Sequence, residues 1–256
     1  MTRLQSGSLR GAVIGQDELK RLQEELAETR RAAEEKELQL ERYASDLRET
    51  FKAERARADE LRQSYVATVR ALTNAVEARD AYTGKHAERV AAYGLELTTR
   101  IEPDLASEPQ IEFGFLLHDI GKVAIPDGIL HKPEPLADAE RSLMRRHPEI
   151  GWEILRGIPF LKRAGEIVRY HHERWDGTGY PEGLAGEAIP LTARIFAVAD
   201  ALDAITTDRP YRPAAPLAEG RATIRKVAGT QFDPRVVDAL DEISDETLDR
   251  IRTGIA

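Results

Sequence analysis

The sequence predicts an all-α protein: a long N-terminal helix followed by a helical bundle. Three observations carry the prediction. Residues 16–82 contain neither Gly nor Pro and are dominated by Ala, Leu, Glu, Arg and Lys, the composition of a continuous helix. Beyond Tyr65 apolar residues recur at helical spacing in one segment after another. No segment shows the sustained period-two alternation of a half-buried strand.

Taken in order, residues 1–15 read as a flexible start, 16–65 as a helical coiled-coil and dimerisation segment, and 66–256 as a folded domain. A heptad laid on Leu19 places Leu19, Leu26, Ala33, Leu40, Leu47 and Leu61 on one seam position, with Glu54 interrupting. The companion position holds Leu22, Thr29, Lys36 and Tyr43 and is poor. The segment therefore reads either as a parallel coiled coil that makes a homodimer or as a solvated helix. A solitary helix would forgo about 1.5–3 kcal/mol for each Leu that could have been buried, which favours the coiled coil. In the domain, helical periodicity spans 65–78, 86–100, 110–120, 139–146, 165–171, 192–205 and 216–228. Asp233-Pro234 joins an N-cap to a proline at the first helical position and opens a last helix through Leu240. The longest loop is 176–190, where glycines supply turns with positive φ.

Composition narrows the function. The formal charge of −8, from 37 basic and 45 acidic residues, argues against a nucleic-acid polymer or an anionic membrane as the main partner. A small anionic substrate is compatible with it. No apolar run approaches the ~20 residues of a membrane span, and the first residues lack a signal-peptide core, so a cytoplasmic protein is expected. There is no cysteine, which excludes disulfides, thiolate metal sites and thiol nucleophiles. Any metal must sit on nitrogen and oxygen.

The six histidines are His86, His118, His131, His147, His171 and His172. Residues 111–117 form an apolar stretch that ends in His118-Asp119, with Gly121 as a C-cap. A buried, ionised Asp needs a cation, and a divalent metal shared with the imidazole is one supplier; a plain His-Asp hydrogen bond is the alternative. His171 and His172 follow another apolar helix, and side chains ~100° apart face different neighbours. Residues 194–200 place Asp200 at the end of a third apolar helix. His86 and His147 stand alone at helix starts, where by themselves they read as structural.

The ordered set His118-Asp119 with Gly121-Lys122, His171-His172-Glu173, and Asp176-Gly177-Thr178-Gly179-Tyr180-Pro181 resembles the HD-GYP family of metal-dependent phosphodiesterases. The resemblance runs from about Val66 to Leu240 and takes in Leu130-His131-Lys132-Pro133, Asp200, Asp203 and the run from Thr207 to Arg212. It implies an HD-type helical bundle in which His86, His118, Asp119, His147, His171, His172 and Asp200 hold metal, with Asp119 bridging two ions and acting in catalysis. His131 matches no ligand position. Some members bind a third metal through a Glu four residues before the first His; that position is Tyr82, so two divalent ions are expected. The family implies iron or manganese, and imidazole-rich donors also suit nickel or zinc. Two ions ~3.5–4 Å apart can lower the pKa of a shared water toward ~7 and clamp the phosphodiester oxygens.

Lys122 reads either as a surface lysine or as a contact to a non-bridging phosphate oxygen, and the family match favours the second. Arg209 and Arg212 frame Tyr211 and can bind phosphate or guanine, with stacking and fork geometry as the means. Asp203 either orients a ligand or forms a capping ion pair. Trp175 and Asp176 anchor the glycine-rich loop and Tyr180-Pro181 packs it against the site, with no catalytic role. The resemblance implies hydrolysis of cyclic di-GMP to linear pGpG, with GMP left open as a further product. Two alternatives stand beside it: hydrolysis of another cyclic dinucleotide, and a catalytically idle cyclic di-GMP receptor that reports through the coiled coil. No sensory domain is recognisable ahead of the helix, which leaves three readings of its input: an upstream signalling partner docking there, the oxidation state of the metal, or no input at all.

Overall fold

The computed structural model describes residues 15–79, 85–208 and 212–255. Among them the chain is helical and contains no strand; isolated bridges join Asp176 with Ala185 and Ala228 with Phe232. The chain divides into two units, residues 1–63 and 64–256.

Helix α1 (Gln16–Glu77) is uninterrupted, as the absence of Gly and Pro requires. Within the first unit the seam leucines Leu19, Leu26, Leu40, Leu47 and Leu61 are all exposed. Polar support there is local, as in the Arg21 to Glu25 pair one turn apart.

In the second unit the final turns of α1 bury Val69, Thr73 and Val76. Then follow α2 (His86–Ile101), α3 (Pro103–Ala106), α4 (Pro109–Leu116), α5 (Asp127–Leu130), α6 (Asp138–Met144), α7 (His147–Leu155), α8 (Lys162–Tyr170), α9 (Leu191–Thr206), α10 (Leu217–Lys226), α11 (Pro234–Glu242) and α12 (Asp245–Gly254). Short 3-10 turns cover Ile120–Ala124, Pro159–Leu161 and Gly186–Ala188. The core lies where α2, α4, α8 and α9 meet. Val90 and Leu97 of α2, Phe115 of α4, Ile167 of α8, and Phe196 and Leu202 of α9 are fully buried there, with the Phe115 and Phe196 rings 5.9 Å apart.

The Asp233 cap forms as expected: its Oδ1 accepts from the Arg235 amide at 2.9 Å, and its Oδ2 pairs with Arg194 at 2.5 Å, tying α11 to α9. Three expectations need correction. Helix α4 stops at Leu116 instead of running to 120, and Gly121 is not its C-cap. Gly121 sits inside the Ile120–Ala124 turn, where an added Cβ would overlap the His147 carbonyl and come within 2.6 Å of the Gly151 amide. Its value is close approach of two backbones. Asp200 lies inside α9, not at its end, because Ala201, Leu202, Ala204 and Ile205 continue the apolar pattern with no breaker. Helix α12 was not anticipated; Ser244 caps it by accepting from the Thr247 amide.

Candidate active site

Five segments deliver the candidate donors. His118 and Asp119 follow the end of α4, His147 opens α7, His171 and His172 follow α8, Asp200 lies in α9, and His86 opens α2. In three cases a helix end supplies the part that orients the ring. The Nδ1 atoms of His118, His147 and His171 lie 2.9, 2.8 and 2.7 Å from the carbonyls of Phe115, Met144 and Val168. Each carbonyl belongs to the last turn of α4, α6 or α8, where no intrahelical donor remains. A carbonyl only accepts, so Nδ1 donates and the Nε2 lone pair points the other way.

Those lone pairs converge. His118 Nε2 is 3.1 Å from Asp119 Oδ2, and His147 Nε2 is 3.2 Å from Asp119 Oδ1. His147 Nε2 also lies 3.2 Å from His171 Nε2. Buried acceptors at such separations repel unless a cation stands among them. The spacing also suits one: bonds of ~2.0–2.2 Å at roughly tetrahedral to right angles put neighbouring donors about 3.0–3.5 Å apart. His147, His171 and His172 bring their ligand atoms within 4.8 Å of one another. The residues present thus fit divalent metal, with Asp119 offering one oxygen to each side.

His86 is oriented differently. Its Nδ1 meets Asp203 Oδ2 at 2.7 Å and its Nε2 faces Asp200 Oδ1 at 3.4 Å. Asp203 is held in turn by Arg89 at 2.6 Å and Thr207 at 3.2 Å. Asp203 thus faces the His86 ring and also forms a buried ion pair with Arg89, so its contacts are compatible with both readings.

The electrostatics follow from these contacts. Burial alone would raise the Asp119 carboxyl, but Lys122, with Nζ 2.8 Å from Oδ2, and the imidazoles of His118 and His147 hold it well below the usual carboxylate range. Burial, with His172 and His147 close by, pushes His171 down, and burial and His147 push His172 down to about 3. Both rings are therefore neutral donors near neutral pH. For His86 burial works downward, yet Asp200 and Asp203 outweigh it and raise the ring to about 10.

The glycine-rich loop is fastened to this centre by a residue whose role sequence reasoning missed. Glu173, 4% exposed, accepts from the amides of Glu182, Gly183 and Leu184 at 2.8, 3.1 and 3.0 Å. An acid directly before a loop rich in unpaired amides was the available signal. Gly179 is demanded by close approach, since a Cβ there would stand 2.6 Å from both Glu173 Cα and the His172 carbonyl. Tyr180 then stacks on His172, centroids 4.7 Å apart, and the Arg145 guanidinium lies 5.2 Å from the Tyr180 centroid. Asp176 accepts from the Thr178 amide and hydroxyl at the start of the loop.

A cleft of about 590 Å³ opens beside the donors, lined by Arg145, His172, Tyr180, Asp200 and Arg212 among others. Arg212 reaches it while donating to the Ala204 carbonyl. Lys122 lines a separate cavity of about 20 Å³ with Glu77, His86 and His118. His131 is exposed at the end of α5, away from the cluster. Arg209, Tyr211 and Tyr82 lie outside the described residues.

The chain matches the HD domain family over residues 70–236. It is 43% identical over 175 residues to the cyclic di-GMP phosphodiesterase response regulator RpfG of Xanthomonas campestris pv. campestris, covering 68% of this chain and 46% of that protein. It is 39% identical over 211 residues to the 3'3'-cGAMP-specific phosphodiesterase 2 of Vibrio cholerae, covering 82% and 40%. The chain thus spans less than half the length of these curated relatives. The crystal structure of a cyclic GMP-AMP specific phosphodiesterase of V. cholerae aligns with a TM-score of 0.51 at 20% identity, covering 72% of this chain and 53% of that one, a likeness of fold.

Proposed function

This chain belongs to the HD-GYP family of HD-domain proteins, and from that premise we propose that it is a metal-dependent phosphodiesterase that opens cyclic di-GMP to linear pGpG. One observation carries the reading: buried Nε2 and carboxylate acceptors face one another at 3.1–3.2 Å around Asp119. His86, His118, Asp119, His147, His171, His172 and Asp200 would hold two divalent ions, iron or manganese first, with nickel or zinc compatible. Bound there, the ions would lower the pKa of a shared water and offset charge on the phosphodiester.

The chain's own groups do the rest. Asp119 divides its two oxygens between the His118 and His147 sides, and Lys122 beside it offers an ammonium to a phosphate oxygen as negative charge grows. Arg212 at the cleft, with Arg209 in the same role, holds the nucleotide by phosphate or guanine edge. The carbonyls of Phe115, Met144 and Val168, and the carboxylate of Asp203, keep the imidazoles aimed. Tyr180 against His172 closes one wall and limits water.

A second substrate reading, 3'3'-cGAMP, is supported by the relative named for it. Metal analysis of anaerobically purified protein, with hydrolysis of cyclic di-GMP, 3'3'-cGAMP and cyclic di-AMP by the same sample, tests both. Preferred turnover of cyclic di-GMP to pGpG is expected. Preferred turnover of 3'3'-cGAMP would move the substrate, and tight binding without cleavage by metal-loaded protein would leave a receptor. The proposal extends to a cytoplasmic homodimer joined through residues 16–65, where the leucine row is exposed; among the described residues no helix is long and apolar enough to cross a membrane.

A further inference from the structure

The turn that follows Asp119 is held from a distant part of the sequence. Arg79, two residues past the end of α1, sends Nη1 to the carbonyls of Val123 at 2.6 Å and Lys122 at 3.4 Å. Its Nη2 reaches the Ile125 carbonyl at 3.1 Å and Asp127 Oδ1 at 2.6 Å. Four contacts thus fall on residues 122–127, which only a planar fork with several N–H groups can fan across; an ammonium is a point charge on a single atom. The turn is tight on its own account, with the Lys122 amide donating to the Asp119 carbonyl at 2.9 Å and the Ile125 amide to the Lys122 carbonyl at 3.0 Å. On the other flank of the His118-Asp119 pair, Thr73 of α1 donates to the Leu116 carbonyl at 3.2 Å. The backbone carrying the pair is therefore gripped on both sides by residues 73–79.

We propose that Arg79 is a positioning residue for the phosphodiesterase reaction: it fixes the Ile120–Ala124 turn and, through it, the Lys122 ammonium beside Asp119. This rests on the reading of Lys122 given above. A brace that served stability alone would leave turnover per folded, metal-loaded molecule unchanged. A positioning residue does not, because Lys122 is useful only at one place relative to the scissile phosphate.

The test uses the full chain as Arg79→Lys, Arg79→Ala, Lys122→Ala and the Arg79→Ala/Lys122→Ala pair, measuring metal content, kcat and KM on a cyclic dinucleotide, and hydrogen exchange of residues 120–127. Arg79→Lys and Arg79→Ala should lower kcat about tenfold with KM and metal content within about twofold. In the Lys122→Ala background, loss of Arg79 should cost less than about twofold more, since the route is already broken. Exchange of the amides of residues 122–125 and 127 should rise about tenfold in Arg79→Lys. Multiplicative losses in the pair, or a lowered melting temperature with unchanged kcat, would overturn the proposal. So would unchanged exchange in the turn, which decides the matter even without a substrate. Wild-type protein inert on every cyclic dinucleotide would instead strike the phosphodiesterase reading.

Discussion

Replacing Glu173 by Gln keeps the shape of the side chain and removes one acceptor. In the native loop Oε1 serves the amides of Glu182 and Gly183, and Oε2 serves that of Leu184. The Gln oxygen can retain the first two, but its NH2 group then faces the Leu184 N–H. One hydrogen bond to a charged group is lost, about 1.5–3 kcal/mol, and the remaining pair weakens from charge-assisted to neutral. The loop is partly exposed, so water recovers part of this, and the net cost comes to about 2 kcal/mol. For a domain of this size that corresponds to a fall in Tm of about 4–8 °C. Thermal and urea unfolding of metal-free protein read it directly. Because Tyr180 donates its amide to the His172 carbonyl and stacks on that ring, loosening the loop should also reduce bound metal. A variant within about 0.5 kcal/mol of the native protein, the range of a neutral surface change, with full metal content, would refute the assignment of Glu173 as the anchor.

Asp119→Ala should abolish turnover and lower metal content at least about tenfold, since one carboxylate serves both sides; normal metal content would count against the bridge. In chelator-treated protein His172, with its ring near 3, and His171, also lowered, resist protons that the unfolded chain accepts near 6.5. Stability should therefore decline as pH falls below about 6.5, by about 2 kcal/mol at pH 5 from His172, with His171 acting in the same direction. His86, raised to about 10, works in the opposite sense: its contribution is complete below about 6.5 and is lost as pH climbs toward 10. Urea midpoints across pH 4.5–9.5 should thus peak near 6.5, and a flat profile would dismiss these shifts. Arg212→Ala should raise KM about tenfold with metal unchanged, as loss of a substrate contact does; an unaltered KM would remove Arg212 from the site. Deleting residues 1–60 should leave a folded domain with weakened self-association in sedimentation, whereas an equally tight dimer would exclude the coiled coil.

What could be read from residue order alone was whatever depends on near neighbours. An unbroken run without Gly or Pro dictates helix α1, and Asp233-Pro234 dictates the start of α11, because propensity and capping act within one turn. The order of His118-Asp119, His171-His172 and the glycine-rich loop pointed to the residues that the fold gathers, since donor chemistry is a property of side chains. Residue order could not show that α4 stops before His118, because helix ends depend on what packs against them. It could not show that three spare helix carbonyls set the imidazole tautomers, that Gly121 lets one backbone touch another, or that Glu173 gathers three amides. Arg79 illustrates the limit: its partners begin 43 residues further along the chain, and only closure of the bundle brings guanidinium and carbonyls within reach. Hydrogen bonds and ion pairs act over a few ångströms of space whatever the separation in sequence, so the aim of each group was decided by tertiary packing.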